Sequence, residues 1–127
     1  ECCPSSNVQT QAVETLESHP LKLYFDLGLR VTINTDNRLI TDTSVSKELY
    51  LTHTQMGLPF KDIKSIIVGS FKSAFRPFHE KQAALRRVTV EIERFDDDGR
   101  LRPDAPAPTS DPRSRPLQAK PVAPQAG

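Results

Sequence analysis

Apolar residues recur at helical spacing through the second half of the chain and predict three amphipathic helices. These helices cover residues 45–56, 60–75 and 79–95. In the middle helix, apolar positions at i, i+3, i+4 spacing are 60, 63, 66, 67, 71, 74 and 75. Ser46 is the expected N-cap of the first helix and Gly57 its end, whereas Pro59 and Pro77 precede the other two helices.

The first half of the chain shows the pattern of a strand, a helix and a second strand. Residues 1–7, ECCPSSN, predict the end of a strand followed by a loop. Residues 19–30 place Leu21, Tyr24, Phe25 and Leu27 on one helical face; Pro20 suits a first turn, and Gly28 suits the residue after the helix. Residues 29–33, LRVTI, are short and β-branched, which predicts a strand buried on both faces. The order predicts a right-handed βαβ unit with parallel strands.

Proline divides the chain into two parts. Residues 102–127 carry seven of the 11 prolines and almost no large apolar residues, so this segment cannot bury enough surface to offset its ordering entropy. An acidic run, DDDG at residues 96–99, precedes it as a hinge. We therefore expect a folded part at residues 1–95 and an acidic hinge with a disordered, Pro-rich tail at residues 96–127.

Charge and length narrow the functional classes. The 127 residues carry 17 Lys and Arg against 16 Asp and Glu, a net charge of +1, which gives no basic face for a nucleic acid or an anionic membrane. No apolar run approaches the length of about 20 residues that a helix needs to span a bilayer. Adjacent Cys2 and Cys3 are expected to be buried free thiols in a reducing compartment, because neighbouring residues rarely reach disulfide geometry and cysteine packs as a small apolar residue. One βαβ unit with three helices cannot close a core, so we expect a piece of a longer chain that continues before Glu1.

Small polar residues follow both predicted strands, as residues 4–7 and residues 34–37. Ligands of α/β proteins bind at the carboxyl ends of parallel strands, which makes Asp36 the candidate for chemistry. Its simplest role is to cap the loop by accepting backbone N–H bonds, and the alternative is a metal ligand or catalytic carboxylate. The remaining candidates are expected to be structural or solvent-exposed: His19, His53, His79, Glu48 and Glu80.

Several motifs together resemble one enzyme family. They are ECCPSSNVQT, HPLKLYFDLGLRVTINTDNRL, KELY and SFKSAFRP, which cover about residues 1–90. In that combination the chain is similar to the C-terminal third of a bacterial adenosine deaminase, a metal-dependent hydrolase. The resemblance implies an α/β fold, the seventh and eighth β/α units of a (β/α)8 TIM barrel plus terminal helices, incomplete without the earlier units.

The resemblance also implies a reaction and a site. The family deaminates adenosine and 2′-deoxyadenosine to inosine and ammonia, with one Zn²⁺ held by a His-x-His pair, a further His and an Asp that matches Asp36. Asn37 matches a position that contacts the purine, and Ser5, Ser6 and Asn7 match the mouth of the preceding strand, where they line the pocket or support the ligands. The other ligands, the glutamate proton shuttle and the base-activating His would precede residue 1, so we expect no catalytic residue in this chain and no turnover by it alone.

The resemblance further implies a cytoplasmic enzyme of purine metabolism with a small purine nucleoside as substrate. The chain does not begin with Met, so the expected cytoplasmic location leaves open whether a leader sequence precedes residue 1. Two alternatives remain open at this point. In the first alternative, the chain is a non-catalytic remnant that acts as an interaction module and uses its open sheet edge as the contact surface. In the second, it is a piece of a related deaminase that acts on adenine or AMP.

Overall fold

The computed structural model describes residues 1–108, which form six helices joined by short loops. In chain order the helices are α1 (Pro4–Gln9), α2 (Leu21–Asp26), α3 (Arg38–Thr41), α4 (Val45–Thr54), α5 (Phe60–Ser73) and α6 (Phe78–Glu93). The predicted disorder of the Pro-rich tail falls, from residue 109 onward, outside the described residues. No helix in the described range is long and apolar enough to cross a membrane.

The two predicted strands meet at a single parallel bridge between Cys2 and Ile33. The Cys2 N–H donates to the Thr32 carbonyl at 2.8 Å, and the Asn34 N–H donates to the Cys2 carbonyl at 2.8 Å. Val31, Thr32 and Ile33 are buried, whereas Leu29 and Arg30 are exposed, so only the second half of the predicted strand is covered on both faces. The parallel direction was therefore predicted correctly, although residues 29–33 make one bridge rather than an extended strand.

Helix α2 ends before Gly28, which follows the C-cap residue Leu27 as the sequence predicts. The Gly28 backbone has φ +78°, a left-handed conformation that glycine adopts without a Cβ penalty. The Gly28 N–H donates to the Phe25 carbonyl at 2.9 Å, and the Leu29 N–H donates to the Tyr24 carbonyl at 3.0 Å, which together form a Schellman motif. Of the predicted apolar face only Leu21 is fully buried, whereas Leu27 is exposed.

Helices α5 and α6 pack against each other, and α4 packs against α5. A core of seven apolar side chains joins α2, α5 and the loop after α4 to the segment that pairs with Cys2: Leu21, Val31, Ile33, Met56, Leu58, Ile63 and Ile66. The three predicted amphipathic helices are thus present, shifted by at most two residues at each end. The N-cap of α4 is Ser44, not Ser46: its side chain accepts the Lys47 N–H at 3.2 Å.

The acidic run after α6 is a hydrogen-bonded turn. Phe95 and Leu101 form an antiparallel bridge around it. The Asp96 carboxylate accepts the N–H groups of Arg100 and Asp98 at 2.8 and 2.9 Å, and these bonds hold the pKa of Asp96 below its ordinary value. Lys64 of α5 donates to the Phe95 carbonyl at 2.9 Å, which docks the turn on α5.

Candidate functional site

The carboxyl ends of the two paired segments lie side by side. Because Cys2 and Ile33 pair in parallel, the residues that follow each of them emerge at the same edge. The Ser6 hydroxyl donates to Asp36 Oδ2 at 3.1 Å across this edge. The structure thereby brings together two residues that lie 30 positions apart in the sequence.

Residues 4–7 are helical, which corrects the prediction of a loop at that position. Helix α1 begins at Pro4, a residue suited to a first turn because its missing N–H would have no partner there. The Asn7 N–H donates to the Cys3 carbonyl at 2.8 Å, so the turn starts directly after the paired segment. Ser5, Ser6 and Asn7 consequently project from a fixed helical turn.

Asp36 and Asn37 lie at the surface of the described chain. Asp36 Oδ2 accepts the Ser6 hydroxyl, and no described residue donates to Asp36 Oδ1. Asn37 is the N-cap of α3, where its backbone carbonyl accepts the N–H groups of Ile40 and Thr41 at 3.1 and 2.9 Å. Its side chain makes no hydrogen bond within residues 1–108, so its amide can contact a ligand.

His19 is buried and connects α1 to α2. Its Nδ1 accepts the Leu21 N–H at 3.1 Å, so Nε2 carries the proton and donates to Asn7 Oδ1 at 3.0 Å. Burial lowers the pKa of His19 from its ordinary value, which keeps the ring neutral. The expected structural role of His19 is confirmed, and its partner proves to be the candidate site residue Asn7.

Glu48 is a site residue that the sequence interpretation missed. It was expected to be an ordinary helix charge, yet it is only 1% exposed. Its Oε2 accepts the Ser5 N–H at 2.9 Å, and its Oε1 accepts the Thr43 hydroxyl. The missed signal is the i, i+4 spacing of Glu48 and Thr52, which places both on one face of α4, where both are buried.

The two cysteines are free, as predicted, but they are half-buried and not fully buried, and Cys3 lies near the candidate site. Burial raises the pKa of the Cys3 thiol, and the nearby carboxylates of Asp36 and Glu48 raise it further. Burial also raises the pKa of Cys2. Since a thiolate is the reactive form, both cysteines are poor nucleophiles at neutral pH.

The described residues do not by themselves complete a metal site. No group of three or more His, Cys, Asp or Glu side chains within residues 1–108 is placed to hold a metal ion. A tetrahedral zinc site needs four ligands, of which Asp36 can provide one. Asp36 fits the role of one ligand in such a site, because Ser6 donates to its Oδ2 and no described residue donates to its Oδ1.

Comparison with protein families identifies the chain. The family model described as adenosine deaminase matches residues 1–91. The chain belongs to the adenosine deaminase family. The matched range includes the candidate site residues and Glu48, and it ends within α6.

Curated relatives carry the same description. The adenosine deaminase of Mycobacteroides abscessus is 47% identical over 88 residues, which cover 69% of this chain and 24% of the relative. That of Shewanella halifaxensis is 48% identical over 88 residues, covering 69% and 27%. The adenosine deaminase of Mycobacterium tuberculosis is 44% identical over the same length, covering 69% and 24%. The chain thus spans about a quarter of the length of these relatives. No solved structure gives a significant match.

Proposed function

We propose that this chain forms part of an adenosine deaminase, which converts adenosine or 2′-deoxyadenosine and water into inosine or 2′-deoxyinosine and ammonia. Within that enzyme, residues 1–95 provide the seventh and eighth β/α units of a TIM barrel and the helices that follow. The observation that carries the proposal is the Ser6–Asp36 hydrogen bond at the shared carboxyl edge of two parallel segments. Enzymes with this barrel place their active sites at that edge.

Asp36 is proposed as one ligand of a Zn²⁺ ion whose other ligands come from outside this chain. The Ser6 hydroxyl holds Asp36 Oδ2, which leaves Oδ1 available as the ligand atom. A bound Zn²⁺ would supply hydroxide at neutral pH, because such an ion lowers the pKa of water to ~7. Asp36 would help to hold the ion in position.

Asn37 is proposed to contact the purine ring. Its side chain has no partner within residues 1–108 and carries both a donor and an acceptor, so it can pair with a ring nitrogen. Ser5 and Asn7 support the site from α1: the Ser5 N–H binds Glu48, and Asn7 is held by His19. A partly exposed helical turn held on both sides provides a firm wall for a nucleoside pocket.

A chimeric enzyme tests this proposal. Residues 1–91 of the chain replace the matching segment of the Mycobacteroides abscessus adenosine deaminase, and inosine formation is followed with zinc content. We expect the chimera to be active, and Asp36→Asn to lower kcat/KM by at least about 100-fold, because replacing even a supporting partner of a metal ligand typically costs ~10- to 100-fold. Asp26→Asn is the matched control, since it removes the same charge and only an exposed ion pair with Lys22.

Two outcomes would contradict the proposal. A folded, zinc-loaded chimera that forms no inosine would favour the non-catalytic interaction module, and one that deaminates only adenine or AMP would favour the related purine deaminases. Full activity and zinc content in the Asp36→Asn chimera would remove the ligand role from Asp36. The 127-residue chain by itself, freed of host deaminase, is expected to form no inosine with added zinc, because it offers one of four ligands.

A further inference from the structure

Glu48 is a buried carboxylate that faces the candidate site from the first turn of α4. Only 1% of the residue is exposed, and its helical neighbour Thr52 is fully buried on the same face. Removing a carboxylate from water costs several kcal/mol unless hydrogen bonds replace its hydration. The position of Glu48 therefore depends on its partners.

The partners of Glu48 come from two different segments. Its Oε2 accepts the Ser5 N–H of α1 at 2.9 Å, and its Oε1 accepts the hydroxyl of Thr43, in the loop between α3 and α4. Ser5 adjoins Ser6, whereas Thr43 ends the stretch that begins at Asp36. A carboxylate suits this position because it has two acceptor oxygens and no donor, so it serves both segments at once.

The direct hydrogen bond between α1 and the stretch that begins at Asp36 is exposed, and it is weaker than the bonds to Glu48. The Ser6–Asp36 bond measures 3.1 Å and lies at the surface, where water competes for both groups. The two Glu48 bonds are part-buried, and a carboxylate acceptor makes such bonds stronger than neutral ones. Holding Ser6 against Asp36 therefore requires more than the contact itself.

We propose that Glu48 is a positioning residue that clamps α1 to the Asp36–Thr43 segment and so keeps Ser6 in place to orient the Asp36 carboxylate. The inference rests on the proposed function, since orienting Asp36 matters only if Asp36 binds the metal ion. Glu48 does not touch the reacting atoms. Through Ser5 and Thr43 it sets the spacing of the two segments that carry the site.

Amide hydrogen exchange on the full 127-residue chain tests the clamp without any need for activity. The Ser5 and Asn7 amides report on α1, and the Ile40 and Thr41 amides report on the other segment. Thr43→Val removes one arm of the clamp and leaves the Ser5–Glu48 bond possible. We expect this change to raise exchange at Ser5 at least about threefold, because groups in one hydrogen-bond network couple energetically.

Glu48→Gln weakens both arms, since its amide has one neutral acceptor oxygen and cannot accept from Ser5 and Thr43 with a separate oxygen for each. We expect exchange at Ser5 to rise at least about fivefold, because a hydrogen bond to a charged acceptor contributes more than one to a neutral acceptor. Exchange at Thr41 should rise as well, while protection within α5 and α6 stays unchanged. Glu93→Gln, on the exposed face of α6, is the matched control and should change neither segment.

Two exchange patterns would overturn the clamp. If Thr43→Val affects only its own neighbours in sequence, Glu48 merely caps α1. If Glu48→Gln raises exchange uniformly through α5 and α6, the residue contributes general stability and no positioning. Either result concerns the clamp alone, whereas an inactive chimera with normal exchange at Ser5 would count against the proposed chemistry.

The active chimera supplies a second readout. There we expect Glu48→Gln to lower kcat/KM by about 10- to 100-fold, as for other residues that orient a metal ligand. Thr43→Val should act in the same direction and by less, because one arm remains. Unchanged kinetics in both variants would overturn the positioning role.

Discussion

Two buried polar side chains, His19 and Glu48, fix the surroundings of Asp36. His19 and Glu48 each hold a different part of α1, through Asn7 and Ser5 respectively. Both were expected from the sequence to be unremarkable, because a lone His or Glu has no positioned partner until the chain folds. Their partners lie 12 and 43 residues away, which is beyond the reach of any local pattern.

The pH dependence of stability should report on His19. Because burial lowers the pKa of His19 in the fold, the unfolded chain binds the proton more readily, and the free energy of unfolding should fall as the pH drops below about 6.5. His19→Asn can still accept the Leu21 N–H but does not titrate, so this fall should be smaller in that variant. At pH 7.5 the free energy of unfolding of His19→Asn should be about 1 kcal/mol lower than that of the wild type, because the variant loses the hydrogen bond to Asn7.

Urea unfolding between pH 7.5 and pH 5.5, followed by circular dichroism, measures this effect. His79→Asn is the control, since His79 is exposed at the start of α6. An equal pH dependence in the wild type and in His19→Asn would show that His19 does not carry it.

Secondary-structure elements were predictable where a local signal exists. Helices α4, α5 and α6 have apolar periodicity and proline or glycine at their ends, and all three were found close to the expected bounds. Helices α1 and α3 were not predicted, because they are six and four residues long and show no periodicity. Helix α1 forms beside a carboxylate from α4 that accepts the Ser5 N–H, which is a tertiary contact.

Two glycines, Gly28 after the end of α2 and Gly69 inside α5, should respond to alanine in opposite directions. Gly28 has φ +78°, so Gly28→Ala should lower the free energy of unfolding by about 1 to 2 kcal/mol. Gly69 lies inside α5, and a Cβ there meets no atom within 4 Å, so Gly69→Ala should raise stability by about 0.5 to 1 kcal/mol. Urea midpoints of the two variants provide the comparison, and a stabilised Gly28→Ala would contradict the role assigned to the α2 terminus.

Apolar side chains remain exposed over several parts of the whole molecule. Leu39 and Ile40 of α3 are 94% and 76% exposed, and Phe75 and Phe78 at the α5–α6 junction are 99% and 71% exposed. Exposed apolar surface of this kind marks a contact surface or an aggregation hazard. The chain spans about a quarter of the length of its relatives.

Self-association should follow from this exposure. We expect the apparent mass of the 127-residue chain in sedimentation to rise with concentration, and Leu39→Glu combined with Ile40→Lys to reduce that rise, because the pair removes two exposed apolar groups without net charge. A variant with Gln9→Glu and Thr10→Lys, at two exposed polar positions, is the control. A constant monomer mass at all concentrations would contradict the expectation.

The family, the three long helices, the parallel pairing and the candidate Asp36 were all predictable from the amino-acid sequence, because apolar periodicity, residues at helix ends and short motifs can be recognised before the chain folds. Three features became visible only in the folded chain: residues 4–7 are helical, Ser6 reaches Asp36, and Glu48 and His19 are buried against α1. A buried polar group is stable only where hydrogen-bond partners meet it, and the partners of Glu48 and His19 on α1 are distant in the sequence.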